Sequence, residues 1–239
     1  MSRWTEADIP DQSGRTVLVT GANSGLGLQT AMVLAERAAT VLLACRDPHR
    51  GQAALARVRS RAAADATLGP GARVVTVSSL AHRRGGLDVH DLNFEHRRYS
   101  SVTAYSASKL ANLLFTFELD RRAQGVRRDL CVVAAHPGLT DTELVANTTR
   151  MRLAGPFAAV ARWGNKLICQ GVVAGTLPQL YAATAADVRS GEYFGPTSLG
   201  QTRGAPGRVA ASDAARNEHT AWLLWERTAE LTGVTPDPA

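Results

Sequence analysis

Thr20-Gly21-Ala22-Asn23-Ser24-Gly25-Leu26-Gly27 decides the fold class of this chain. The stretch follows Thr16-Val17-Leu18-Val19-Thr20, a β-branched apolar run of the kind that forms a buried parallel strand. A helix is expected from near Leu26, with Ala31, Leu34 and Ala35 on one face. The glycines therefore fall where a strand turns into a helix. A diphosphate needs backbone N–H groups aimed at it and no Cβ atoms in the way, and a helix N-terminus favours its charge. A lone glycine triplet is weak evidence, but one inside a βαβ unit reads as a nucleotide-binding turn.

Outward from this turn, strand and helix signals alternate. Residues 41–45 form a second strand, and Asp47 and Pro48 suit the cap and first position of a helix running to about residue 64. Residues 65–72 are a linker, and 73–77 are a third strand ending at Ser78-Ser79. Residues 80–99, polar and rich in His and Arg, read as loop. The spacing of Leu110, Leu113, Leu114 and Phe117 predicts a helix over 101–124, stopped by Gly125. A fourth strand over 130–135 ends at His136-Pro137-Gly138. Helices follow over 142–153 and 171–186, the latter bent at Pro178, then a last strand over 192–196. A final helix over 212–231 is capped by Ser212 and Gly233. The expected architecture is α/β, a Rossmann-like doubly wound parallel sheet in a single domain over 1–239.

The end of the second strand bears on cofactor choice. A site for the unphosphorylated dinucleotide places Asp or Glu against the ribose 2′-hydroxyl, whereas Cys45-Arg46 stands here, and arginine suits a 2′-phosphate. NADP is expected, in preference to NAD. Tyr105 and Lys109 are four apart on a helix and share a face. A phenol of ordinary pKa, near 10, exchanges protons poorly at neutral pH, and a neighbouring ammonium favours the phenolate. That makes Tyr105 a candidate acid/base, and Ser79 at the end of the third strand a candidate donor to a substrate carbonyl.

These motifs together resemble the short-chain dehydrogenase/reductase family, in its retinol dehydrogenase and protochlorophyllide reductase-like branch. The matching stretches are the glycine turn, Ala44-Cys45-Arg46-Asp47, Val77-Ser78-Ser79-Leu80-Ala81-His82, Tyr105-Ser106-Ala107-Ser108-Lys109-Leu110-Ala111-Asn112 and His136-Pro137-Gly138. The resemblance implies Ser79, Tyr105 and Lys109 as catalytic residues. It implies cofactor contacts from Gly21, Asn23, Ser24, Gly25, Leu26, Gly27, Arg46, Tyr105 and Lys109. Pro137, Gly138 and Thr142 would line the nicotinamide side. The implied reaction is NADP-dependent interconversion of an alcohol and a carbonyl on a small or lipophilic substrate. A family remnant with impaired catalysis, retaining nucleotide binding or a protein-interaction role, is the alternative.

The spacing departs from that family. Only 84 positions separate Gly21 from Tyr105, and an Asn-Asn-Ala-Gly segment is absent. Two central-region strands of the family, with the helices around them, are therefore expected to be missing. Losing them either opens a gap beside the first strand or forces it to pair with the Ser79 strand. Direct pairing would reverse the direction of the connection along the sheet, so the right-handed rule would put the helix after the second strand on the opposite face, against its usual packing. The loss would also uncover Leu113, Leu114 and Phe117, leaving them exposed or buried in a homo-oligomer.

Composition excludes other classes. The net charge is +6 and the pI about 9.8, yet the arginines fall in scattered pairs with no basic stripe interleaved with aromatics, so no nucleic-acid partner is expected. The first ten residues lack the apolar core of a signal peptide, and no stretch suits a membrane span; a cytoplasmic location is expected. Cys45, Cys131 and Cys169 read as buried free thiols, and no metal site is expected. His82, His90 and His96 read as exposed loop histidines, and Trp222 and Trp225 as packing residues or an oligomer contact.

Overall fold

The computed structural model describes residues 4–45, 48–59, 72–126, 130–140 and 170–234. Its elements follow the expected alternation. In chain order they are β1 (Thr16–Thr20), α1 (Gly25–Glu36), β2 (Thr40–Ala44), α2 (Pro48–Arg59), β3 (Arg73–Val77) and α3 (Ser101–Val126). After these come β4 (Cys131–Ala135), α4 (Val172–Thr184), β5 (Tyr193–Ser198), β6 (Arg203–Arg208) and α5 (Glu218–Thr232). The helix expected over 142–153, the start of α2 at Asp47 and its continuation to residue 64 lie outside the described residues.

The sheet is divided. β1 pairs in parallel with β2, while β3, β4, β5 and β6 form a second sheet in that order, parallel except for the antiparallel β6. Of the two outcomes expected from the missing strands, the gap is the one realised. Hydrogen-bond parity identifies its walls. Thr40 donates to the Arg15 carbonyl and Gly21 to that of Ala44, so odd residues of β1 address β2, and Thr16, Leu18 and Thr20 turn their backbone groups to the other edge. Likewise Cys131 donates to Ala72 and Ser78 to Ala135, so Arg73, Val75 and Val77 turn theirs away from β4. No described strand pairs with either edge. Crossover handedness accounts for it: α2 packs Ala54 and Val58 with Val17 and Val41 on the face that α1 also covers, and direct pairing of β1 with β3 would demand the opposite face.

The helical layers are unequal. On one face α1 buries Leu28, Ala31 and Ala35 against β1 and β2, and α4 buries Ala182 against Val133 and Phe194. Val33 and Leu34 of α1 meet Leu180 of α4, so this layer runs across the gap and joins the two sheets. On the other face α3 and α5 cover only the larger sheet, packing Leu110, Leu113 and Leu114 with Ala134, Tyr193, Ala221 and Leu224. Nothing among the described residues covers that face of the smaller sheet: Leu18 and Leu42, register partners, are 63% and 51% exposed.

Several expectations need correction. Leu113 and Leu114 are fully buried and Phe117 is half-buried under Arg216, because α5 supplies the cover that the missing helix was expected to give. Residues 80–99 contain a 3-10 turn, Leu80–Arg84. The last helix starts at Asn217, whose side chain accepts from the Thr220 amide, while Ser212 precedes a separate 3-10 turn. Gly233 does end it, at φ 66°. Cys45 and Cys131 are free but only half-buried, and Cys169 is outside the described residues. Trp225 is buried against Phe115, whereas Trp222 is 45% exposed.

Candidate active site

Two clusters carry the expected chemistry, and each is built by the end of a strand. The first is the turn after β1. Gly21 and Gly25 adopt φ of 63° and 53°, and a Cβ on either would meet nothing within 4 Å, so open space lies over the turn. Gly27 does the opposite job: a Cβ there would stand 2.5 Å from the Gly21 carbonyl oxygen, so the helix start lies directly on the turn. Ser24 caps α1 by backbone geometry without spending its hydroxyl, and the first bond into the helix comes from the Leu28 amide to the Ser24 carbonyl. The amides of Gly25, Leu26 and Gly27 have no backbone acceptor among the described residues. Unspent donors, open space and a helix dipole fit a diphosphate.

The second cluster surrounds the end of β3. Lys109 reaches from α3 to donate to the Val77 carbonyl at 3.3 Å, and Asn112 donates to the same oxygen at 3.0 Å. The Ser78 hydroxyl donates back to the Lys109 carbonyl at 2.8 Å, so strand end and helix are stitched from both sides. The Lys109 ammonium lies 5.7 Å from the centre of the Tyr105 ring. Burial holds the Lys109 pKa below its ordinary value. Ser79 follows directly, in extended conformation, and its Oγ accepts from the Ala81 amide. Ser79, Tyr105 and Lys109 are thus placed around one strand end. Pro137 and Gly138 adjoin it, since β4 pairs with β3 up to Val77↔Ala135.

His82 was expected to be exposed and is instead wholly buried. The Ser212 amide donates to its Nε2, so the ring proton is on Nδ1, which donates to the Ser79 carbonyl at 2.7 Å. Burial lowers its pKa and keeps the ring neutral. It thereby fastens the chain at Ser79 to the segment entering α5. The signal available in sequence was its place three residues after Ser79, at the reach of a single tight turn.

No hydrogen bond or ion pair among the described residues links the two clusters directly. They are joined through α4. Gln179 donates to the Leu26 carbonyl at 3.4 Å and to the Thr30 hydroxyl, and Gly175 of the same helix packs on Thr140, just beyond Pro137 and Gly138. Arg46 and Thr142, expected to contact a 2′-phosphate and the nicotinamide side, lie outside the described residues.

Comparison with known proteins agrees with these features. A short chain dehydrogenase family model matches residues 15–89, which hold the glycine turn and Ser79. Human retinol dehydrogenase 12 is 31% identical, over 96% of this chain and 89% of its own length. That alignment spans 305 positions, more than this chain's 239 residues, so the relative carries residues without counterpart here. Among solved structures, an uncharacterized protein from Mycobacterium paratuberculosis superposes with a TM-score of 0.75 at 32% identity, over 98% of both chains. L-sorbose reductase from Gluconobacter frateurii, complexed with NADPH and L-sorbose, shares the fold at a TM-score of 0.55 and 12% identity, over 73% of this chain and 92% of its own.

Proposed function

The chain belongs to the short-chain dehydrogenase/reductase family of oxidoreductases, in its retinol dehydrogenase-like branch, and from that premise we propose that it interconverts an alcohol and a carbonyl with NADP. The observation that carries this reading is the convergence of Ser79, Tyr105 and Lys109 on the end of β3, with Lys109 beside the phenol ring. When bound, the nicotinamide supplies or accepts the hydride. The chain's own groups do the rest. Gly21 to Gly27 would hold the diphosphate on unspent amides, and Pro137 and Gly138 would line the nicotinamide. The Ser79 hydroxyl would donate to the substrate oxygen and fix its orientation. The Tyr105 hydroxyl would give its proton to that oxygen in reduction and take it back in oxidation, with the nearby ammonium of Lys109 easing the charge on the phenolate.

NADP rather than NAD rests on Arg46, two positions after Ala44 in the sequence, supported by a reductase of the same fold being complexed with NADPH. The substrate class, small or lipophilic, follows from the retinol dehydrogenase relatives. One observation favours a second reading, nucleotide binding without turnover: the sheet is divided between the turn at β1 and the catalytic cluster at β3.

Titrating NADPH against the fluorescence of Trp4, Trp163, Trp222 and Trp225 tests the proposal. Saturation, with turnover of a carbonyl panel that Tyr105→Phe abolishes, supports it. Saturation without turnover supports the second reading, and no saturable response overturns both.

A further inference from the structure

We infer that Asn112 is a positioning residue which takes the place of the missing strand at Val77 and thereby releases Lys109 to meet the cofactor. The Val77 carbonyl belongs to the set on β3 that faces away from β4, toward the gap. In an undivided sheet a strand N–H would occupy it. Here its donors are two side chains of α3, the Asn112 amide at 3.0 Å and the Lys109 ammonium at 3.3 Å. Residues 105, 109 and 112 follow one another on a single helix face, so donor, ammonium and phenol are held in one row.

Two donors on one carbonyl make a redundancy. Were Lys109 the sole donor, its turning toward a ribose would orphan a half-buried carbonyl, at a cost comparable to the new bond. Asn112 stays on the oxygen, so the ammonium can leave. The Lys109 backbone does not move with it, because the Ser78 hydroxyl holds its carbonyl at 2.8 Å. Only the part concerning the cofactor depends on the oxidoreductase reading; the stand-in for the strand does not.

The two parts are tested separately. In the cofactor-free protein, a double-mutant cycle with Asn112→Leu and Lys109→Met reads hydrogen exchange at the Ser78 amide, which donates to Ala135 at the same strand end. Each single variant leaves one donor and is expected to raise exchange less than about threefold, while the double variant raises it about tenfold beyond their product. Additive effects overturn the redundancy. In the second arm Asn112→Leu is expected to weaken NADPH about tenfold, yet leave unchanged the affinity for adenosine 2′,5′-bisphosphate, which lacks the nicotinamide ribose. Equal loss for both ligands, or loss for neither, overturns the release of Lys109. Wild-type protein that binds neither ligand overturns the oxidoreductase reading and the release of Lys109 together, and the exchange cycle then decides the strand stand-in. Asn112→Ala carries the same measurements where the leucine variant does not fold.

Discussion

Gly85 lies directly on the backbone of Ser106: a Cβ built on Gly85 would stand 2.7 Å from the Ser106 carbonyl oxygen and 2.8 Å from its carbonyl carbon. Gly85 closes the 3-10 turn that begins after Ser79, and Ser106 adjoins Tyr105 on α3. This contact therefore bears on the separation of the Ser79 turn from Tyr105, the hydroxyl and phenol proposed for catalysis. Neither neighbour can rotate away, because both are main chain.

Gly85→Ala is accordingly expected to push the turn off α3. Turnover should fall about tenfold to a hundredfold, as displacements of up to about 1 Å do in positioned sites. Stability should fall by roughly 1–3 kcal/mol, the usual range for overpacking. NADPH affinity should stay within about twofold, since the glycine turn after β1 is held by other contacts. Steady-state kinetics, urea unfolding and the fluorescence titration check the three statements.

What the sequence reveals here follows from local physics. β1 and β3 are β-branched runs bounded by turn residues, and α3 has apolar side chains at helical spacing, so each reads correctly from its own residues. β6, with the sequence Arg-Gly-Ala-Pro-Gly-Arg, carries no alternation of apolar and polar residues and is a strand because it can pair with β5 at the sheet edge, where Pro206 is tolerated. His82 looks like a polar loop residue until Tyr193 and the segment at Ser212 close over it. The site shows the same division. Ser79, Tyr105 and Lys109 are legible as a motif, but the role of Asn112 depends on which edge of β3 lost its neighbour, and that is a property of the sheet.

His136, immediately after β4, is buried between Tyr193 and the turn at Gly138, whose amide donates to its Nδ1. Burial holds its pKa down at about 4, and the charge of Arg83 adds to the effect. The folded protein thus binds fewer protons here than the unfolded chain between about pH 6.5 and pH 4. Stability is complete above pH 6.5 and is lost as the pH falls through that window, by roughly 3 kcal/mol at its lower end. His136→Asn keeps an acceptor for Gly138 and removes the titration, so the variant's urea midpoint should decline less than wild type's between pH 6.5 and 4.

Lys109 titrates in the opposite range. Its pKa is depressed by burial, so between the folded value and the ordinary 10.5 the unfolded chain binds more protons, and stability rises with pH there. Lys109→Met should abolish this rise while Asn112 continues to hold the Val77 carbonyl. The stability difference between wild type and variant, followed by urea unfolding from pH 7.5 to 10.5, should move in favour of wild type as the pH is raised. Turnover should be lost in the variant at every pH, which separates the chemical role proposed for the ammonium from its cost to the fold.

Leu18 offers the last test, because it combines two features that proteins rarely leave together. Its side chain is 63% exposed beside Leu42, and its backbone groups face the open edge of β1. An uncovered, apolar strand edge is a template for pairing with another chain. A lysine there keeps the strand conformation, adds charge at the edge and removes little buried area, so Leu18→Lys should alter stability by no more than about 0.5 kcal/mol. Its effect should fall on association: light scattering across a concentration series should show a smaller apparent mass than wild type. Equal masses at every concentration would mean that the edge of β1 takes no part in contacts between chains. A mass that falls in step with the charge would mean that the strands removed from the centre of this sheet left behind a surface through which copies of the chain meet.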